Sequence, residues 1–436
     1  MNLQDEQTRL QCVASQTSYH TSSGQGRAQS ARTGQWSADG TCIVHVNANN
    51  SIETMVLPED LLDNETRHDL KPYSIYNSAD PIYATALYSH FVLSDPRTTL
   101  VLCATRDTPI QLRNALDYNR GVYATYSWCD PNTEAVITPR SLVFTADATH
   151  FVAGGQAQFA VYDVNFPSSK AISVRKTSRS RYATKAFGDP RLNATAPSSH
   201  IAAVDISSED ILALGTNTRH VALYANHGLG DLITSFRLPS PRLGTACGGK
   251  GITQIRWSAD GTYLFIAERQ SDTIELFDVR QSGKQLSWLS GRRADVNFQL
   301  SFDVVPTLHG LEIWGGGVDG RLRMWSNPEQ QEGNVKFTQE WHVHDDPVCS
   351  TLVHASGTVV ATLATKDRYG TRSHTASILS DESNDNSMNE EESSSDAQSE
   401  KGNDSDEIEA KERVSERPES RMSTDQSDPM LKFKCN

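Results

Sequence analysis

The chain has 436 residues, with 40 Lys and Arg against 54 Asp and Glu, a formal charge of −14 and 37% hydrophobic content. These values suit a soluble globular protein with a polar appendage, and they exclude a coiled coil or a collagen-like rod. No run approaches the roughly 18 apolar residues of a membrane-spanning helix. Residues 1–33 are rich in Gln, Ser and Thr and lack the apolar core of a secretory signal, so they read as a flexible N-terminus. Seven cysteines lie far apart without a Cys-x-x-Cys pair, which points to reduced thiols in a cytosolic or nuclear protein.

Next along the chain come repeats. The hexapeptide Trp-Ser-Ala-Asp-Gly-Thr occurs at Trp36–Thr41 and again at Trp257–Thr262, with a looser copy at Phe144–Thr149. Each copy ends an alternating apolar run and opens another, the pattern of strand, tight turn and strand. Equivalent positions recur at Trp36, Tyr88, Phe144, Ile206, Trp257, Phe302 and Val353, spaced by 45 to 62 residues. Third strands are predicted at Ile110–Leu112, Phe159–Asp163, Val221–Tyr224, Ile274–Asp278 and Leu322–Trp325. A period slightly above the roughly 40–45 residues of a propeller blade predicts an all-β, seven-bladed β-propeller over residues 34–370. The copy from His344 to Asp367 resembles a WD repeat, which places His344 at the structural histidine position and Asp346 in the turn before the inner strand.

After the repeats the composition changes. From Asp381 onward there are 17 acidic and 7 basic residues, a net charge of −10, which leaves only −4 on the preceding 380 residues. Residues 371–436, acidic and rich in Ser, Glu and Asp, are expected to form a disordered tail, because they hold too little apolar surface to offset their conformational entropy. Deleting Asp381–Asn436 is therefore expected to leave the thermal midpoint of the propeller nearly unchanged. A loss of several kcal/mol in a melting experiment, the scale of a missing core element, would show that the tail docks.

Two motifs are more specific than the repeats. One is the turn Thr105-Arg106-Asp107-Thr108-Pro109-Ile110; the other is Phe277-Asp278-Val279-Arg280-Gln281-Ser282-Gly283, with Trp288 and Arg292 following. Together they resemble the telomerase Cajal body protein family, WD-repeat proteins that bind small Cajal body RNAs; the resemblance covers about Trp36 to Asp367. It implies a nuclear, non-catalytic RNA-binding scaffold of small ribonucleoproteins, with small nuclear or small Cajal body RNA and ribonucleoprotein proteins as partners. Telomerase RNA is a further candidate, and a diverged yeast branch of the family is linked to pre-mRNA splicing. Gln111-Leu112-Arg113-Asn114 and Gln299 depart from the animal pattern and point to a fungal-type member.

Candidate RNA contacts fall into two groups. The run Arg175 to Lys185 places Arg175, Lys176, Arg179, Arg181 and Tyr182 close together, supplying phosphate neutralisation and one ring for stacking. Its bland alternative is a solvated loop or a nuclear localisation signal. The second group is a basic rim. Arg106, Arg219 and Arg269 sit in turns between second and third strands, and Arg292 and Arg293 in a blade-to-blade connection. All these turns open on one face, and a guanidinium fork suits phosphate; local pairs such as Arg106–Asp107 and Arg269–Asp272 are the competing structural use.

Asp278 and Arg280 also resemble the Trp-Asp-x-Arg signature of cullin-4 ubiquitin ligase receptors, which offers protein-only scaffolding as the alternative function. His342-x-His344 beside Asp345 and Asp346 has the composition of a metal site, but the WD framework explains His344 and Asp346 better. No catalytic motif, cofactor or metal is expected from the sequence.

Overall fold

A computed structural model describes residues 10–16, 18–21, 24–27, 30–63, 67–167, 170–177, 199–239, 248–281 and 283–366. The acidic tail expected over residues 371–436 lies outside the described residues, as do Arg179, Arg181 and Tyr182. Among the described residues no helix is long and apolar enough to cross a membrane.

The repeated hexapeptide builds the same turn each time. In the first copy the Asp39 carboxylate accepts from Ser37 Oγ (2.6 Å), Thr41 N (3.2 Å) and Thr41 Oγ1 (2.8 Å). In the second, Asp260 accepts from Ser258 Oγ (2.5 Å) and Thr262 N (3.1 Å). Gly40 and Gly261 follow at φ +71° and +70°, where a side chain is disfavoured. The looser copy keeps the carboxylate, Asp147, whose bonds from Thr145 and Thr149 hold its pKa down at about 2. It places Ala148 at φ +59° in the glycine position. The hexapeptide is thus an Asx-turn cassette joining the first two strands of a blade.

Repetition of that unit gives a β-propeller. Six sheets of four or more strands follow one another, each antiparallel in its first four strands, with inner strands Ala31–Trp36, Ile82–Leu87, Ser141–Phe144, Ile201–Ile206, Ile252–Trp257 and Phe302–Thr307. In seventh place stands a two-stranded sheet, Val348–Val353 with Val360–Ala364, which packs against the sixth blade on one side and the first on the other. All five predicted third strands are strands, for example Ile274–Asp278 and Arg321–Ser326. One register differs from expectation. Phe302 begins its inner strand instead of ending it, because this hairpin turns at Thr307–Gly310 without an Asp-Gly cassette.

The core lies between neighbouring blades. Phe265, Leu276 and Leu289 of the fifth blade meet Phe302, Ile313 and Trp325 of the sixth, and Trp325 Nε1 donates to Ser290 O at 3.1 Å. Each such fully buried side chain contributes on the order of 1.5–3 kcal/mol. The fifth blade also gains a parallel outer strand, Gly333–Lys336, supplied by the sixth. At the ring junction Val13 and Ala14 share a core with Leu352, Val359, Ala361 and Leu363. There Ser30 Oγ bonds Thr365 Oγ1 (2.9 Å) and accepts from Lys366 N (2.8 Å).

Candidate nucleic-acid interface

Strand direction alternates within each blade. The starts of the inner strands, the turns between second and third strands, and the blade-to-blade connections therefore share one end of the central channel. Inside the channel is a cavity of about 440 Å³ lined by inner strands of all blades. Its polar side chains hold the ring together. Gln35 bridges the first two blades, donating to Thr85 O (3.1 Å) and accepting from Leu87 N (3.0 Å). Gln254 does the same toward both backbone groups of Phe302. Asp205 accepts from Trp257 N and Asp303 from Val353 N, each at 2.9 Å. Burial raises the pKa of both carboxyls against the pull of Arg256, which stands 3.9 Å from Asp205.

The mouth at the inner-strand starts is different. A second cavity of about 440 Å³ there is lined by Arg32, Arg140 and Arg269, with Tyr83, His200 and Asn217 among the other residues and no carboxylate among those described. The Arg140 guanidinium lies 3.6 Å from the centre of the Tyr83 ring, a cation–π contact. Arg32 donates to Ile82 O at 3.0 Å. Loss of water in the mouth, then the like charge of Arg140, lowers the pKa of Arg32. The same two causes lower that of His200, which favours its neutral imidazole. Beside the mouth, a cavity of about 570 Å³ over the second and third blades shares Tyr83, Arg140 and His200 and adds Arg106 and Lys176, with Asp107 and Asp130 as counter-charges.

No protein-family model matches the chain. It is 26% identical over 313 residues to guanine nucleotide-binding protein negative regulator 1 of Schizosaccharomyces pombe, covering 70% of this chain and 73% of that protein. Identity to human telomerase Cajal body protein 1 is 27% over 297 residues, 67% of this chain and 48% of the relative. Protein SWT21 of Vanderwaltozyma polyspora matches at 26% over 265 residues, 58% of each chain.

The chain resembles the telomerase Cajal body protein family at a distant level. It spans about half the length of the mammalian members it matches.

Within this family frame, the sequence-derived candidates separate. Arg106 is half exposed at the mouth end and pairs with Asp80 (3.1 Å) and Asp107 (3.8 Å). Arg269 lines the mouth and forms no pair with Asp272, whose carboxylate instead accepts from Ala294 N at 2.6 Å. Arg293 is exposed, and Lys176 is exposed in the side cavity. Two expected rim residues are buried instead. Arg219 turns inward from a tight turn at φ +68° and pairs with Glu268 at 2.7 Å. Arg292 is 2% exposed and donates to Leu300 O at 3.0 Å; burial pushes its pKa down to about 10. Arg175 is half-buried, with its guanidinium on the carbonyls of Leu229 and Gly230.

The family's second motif lies at the opposite end of the ring, where third strands finish. There Arg280 is locked to Asp278 by two bonds of 2.9 and 2.8 Å. His344 is buried, its Nε2 2.9 Å from Thr362 Oγ1, a use within the last hairpin. Arg32 and Arg140 were not among the sequence candidates. They stand four residues before Trp36 and Phe144, the same register position in two blades, and alignment of the repeats on those aromatics exposes the match.

Proposed function

We propose that this chain is a non-catalytic, nuclear RNA-binding scaffold of small ribonucleoproteins. It takes small nuclear or small Cajal body RNA at the channel mouth and ribonucleoprotein proteins on its sides. The observation that carries the reading is the mouth itself, where Arg32, Arg140 and Arg269 converge without a carboxylate among the described lining residues. Three guanidiniums in one concave site attract a polyanion and offer planar forks to its phosphates. The family relationship supports the same reading, because the mammalian relatives carry telomerase and the Cajal body in their name. The proposal extends to architecture. The propeller has seven blades, the hairpin Val348–Val353 and Val360–Ala364 serving as the seventh and the segment from Leu10 to Ser15 helping to close it.

The test is a triple variant, Arg32→Gln, Arg140→Gln and Arg269→Gln, titrated with small nuclear RNAs at two salt concentrations. Affinity is expected to fall about 10- to 100-fold, with the salt slope flattening by roughly 0.7 for each lost contact to single-stranded RNA. Melting curves check that the ring stays closed. Unchanged affinity in a folded variant moves protein-only scaffolding to first place, and recovery of a cullin-4 ligase adaptor through Arg280 would then decide for that role.

A further inference from the structure

Deep in the channel, Gln35, Gln254, Asp205 and Asp303 are committed to blade-to-blade bonds. Three at the mouth are not. His200, Asn217 and Arg269 each leave a buried polar atom without a partner among the described residues: Nδ1, Oδ1 and Nε respectively. All three line the one mouth cavity. None of the three side chains makes a hydrogen bond among the described residues, so a ligand in this cavity meets polar groups that are not committed to the fold.

The backbone that carries them is rigid. Asn217 N donates to His200 O at 3.1 Å, Arg269 N to Gly251 O at 2.8 Å, and Lys250 N to Arg269 O at 2.7 Å. Gly249 and Gly251 let this segment run between the two turns. A Cβ on Gly251 would stand 2.4 Å from Asn217 O, and one on Gly249 2.5 Å from Arg269 O. Fixed backbone with uncommitted side-chain ends is the arrangement of a recognition wall.

The chemistry of the wall selects the ligand. Asn217 offers both a donor and an acceptor, neutral His200 offers one of each, and Arg269 offers donors. Phosphate oxygens only accept, so they would leave the acceptors of Asn217 and His200 unused. The edge of an unpaired nucleobase carries donors and acceptors side by side and satisfies the set. In the same cavity the Arg140 guanidinium lies over the Tyr83 ring, a cation against which a base can stack, and Arg32 stands ready for the adjoining phosphate.

We infer that the wall formed by His200, Asn217 and Arg269 is a base-reading subsite, which takes one unpaired nucleobase of a bound RNA into the channel mouth. The inference rests on the proposed RNA-binding role and deepens it. Arg140 and Arg32 supply charge and stacking; the three-residue wall supplies sequence preference.

The experiment uses the full chain and fluorescence anisotropy. Its probes are four single-stranded RNA homopolymers of about twelve nucleotides and an abasic ribose-phosphate polymer of the same length and charge. The wild type is expected to bind at least one homopolymer about tenfold or more above the abasic polymer, the discrimination of one well-made set of base contacts. Asn217→Ala and His200→Ala should each cut that preference below about threefold while leaving abasic affinity unchanged. Neither substitution removes a side-chain hydrogen bond among the described residues, so both variants should melt close to the wild type. Equal binding of homopolymers and abasic polymer overturns the subsite and leaves the RNA-binding role standing. Preference that persists in both variants places base reading elsewhere and also overturns it. Failure of every probe to bind removes the RNA-binding role, and the subsite with it.

Discussion

Replacing Arg219 by Ala is expected to destabilise the propeller by about 3–5 kcal/mol, the cost of removing one partner from a buried ion pair. Its guanidinium donates to both oxygens of Glu268, at 2.7 and 2.8 Å, and its Nη2 lies 3.9 Å from Glu275. The same group donates to Pro239 O at 2.9 Å, and Glu268 accepts from Gly249 N at 2.8 Å. One ion pair therefore grips both ends of the connection between the fourth and fifth blades. Without Arg219, two buried carboxyls face each other with no cation between them. The double variant Arg219→Ala with Glu268→Ala should recover part of the loss, because it removes the stranded charge along with its partner. RNA affinity, measured well below the melting transition, should change little, since the side chain is only 10% exposed. Urea unfolding that moves by less than about 1 kcal/mol, together with a large loss of RNA affinity, would return Arg219 to the rim.

That residue illustrates what was legible in the sequence and what was not. Strand order, the Asx-turn cassette and the third strands are local patterns, and each was readable from residues within a few positions of one another. Arg219 looked like a rim residue because its turn has the right place in the repeat. Its destination depends on Glu268, some fifty residues away on the next blade, inside a strand that otherwise reads as apolar. Charged residues embedded in a core strand were the available signal, because such groups are rarely buried unless paired. Arg292 escaped for a similar reason, since nothing in Gly291-Arg292-Arg293 says which arginine turns inward. Phe302 was misplaced within its strand because its blade lacks the cassette that fixes register in the others.

The candidate site was legible in part. The end of the ring at which Arg106 and Arg269 gather follows from propeller topology alone. Arg32 and Arg140, which with Arg269 give the mouth its charge, lie at strand entrances instead of turns. Only superposition of the repeats shows that they occupy one register. His200 and Asn217 carried no sequence signal, because an unengaged polar side chain is visible only once its neighbours are known.

Glu275 supplies the last expected result, a decline of stability toward alkaline pH. Burial, followed by the negative charge of Glu268, pushes its carboxyl up to about 8 from an ordinary 4.5, against the pull of Arg219. Gln285 Nε2 donates to its Oε2 at 3.0 Å, a bond that a neutral carboxyl also accepts. The folded chain keeps a proton that the unfolded chain releases near pH 4.5. Between those two values the native state binds more protons, so stability falls as pH rises. The contribution is complete below the unfolded value and is lost as pH climbs through about 8. Urea titrations of the wild type between roughly pH 6 and 9 should show a loss of about 2 kcal/mol from this group, allowing for its sharing of charge with Glu268. Glu275→Gln keeps the shape and cannot ionise, so its stability should stay flat over that window and exceed the wild type at the alkaline end. Parallel curves for the two proteins would mean that Glu275 is already ionised at neutral pH, with Arg219 holding two carboxylates at once.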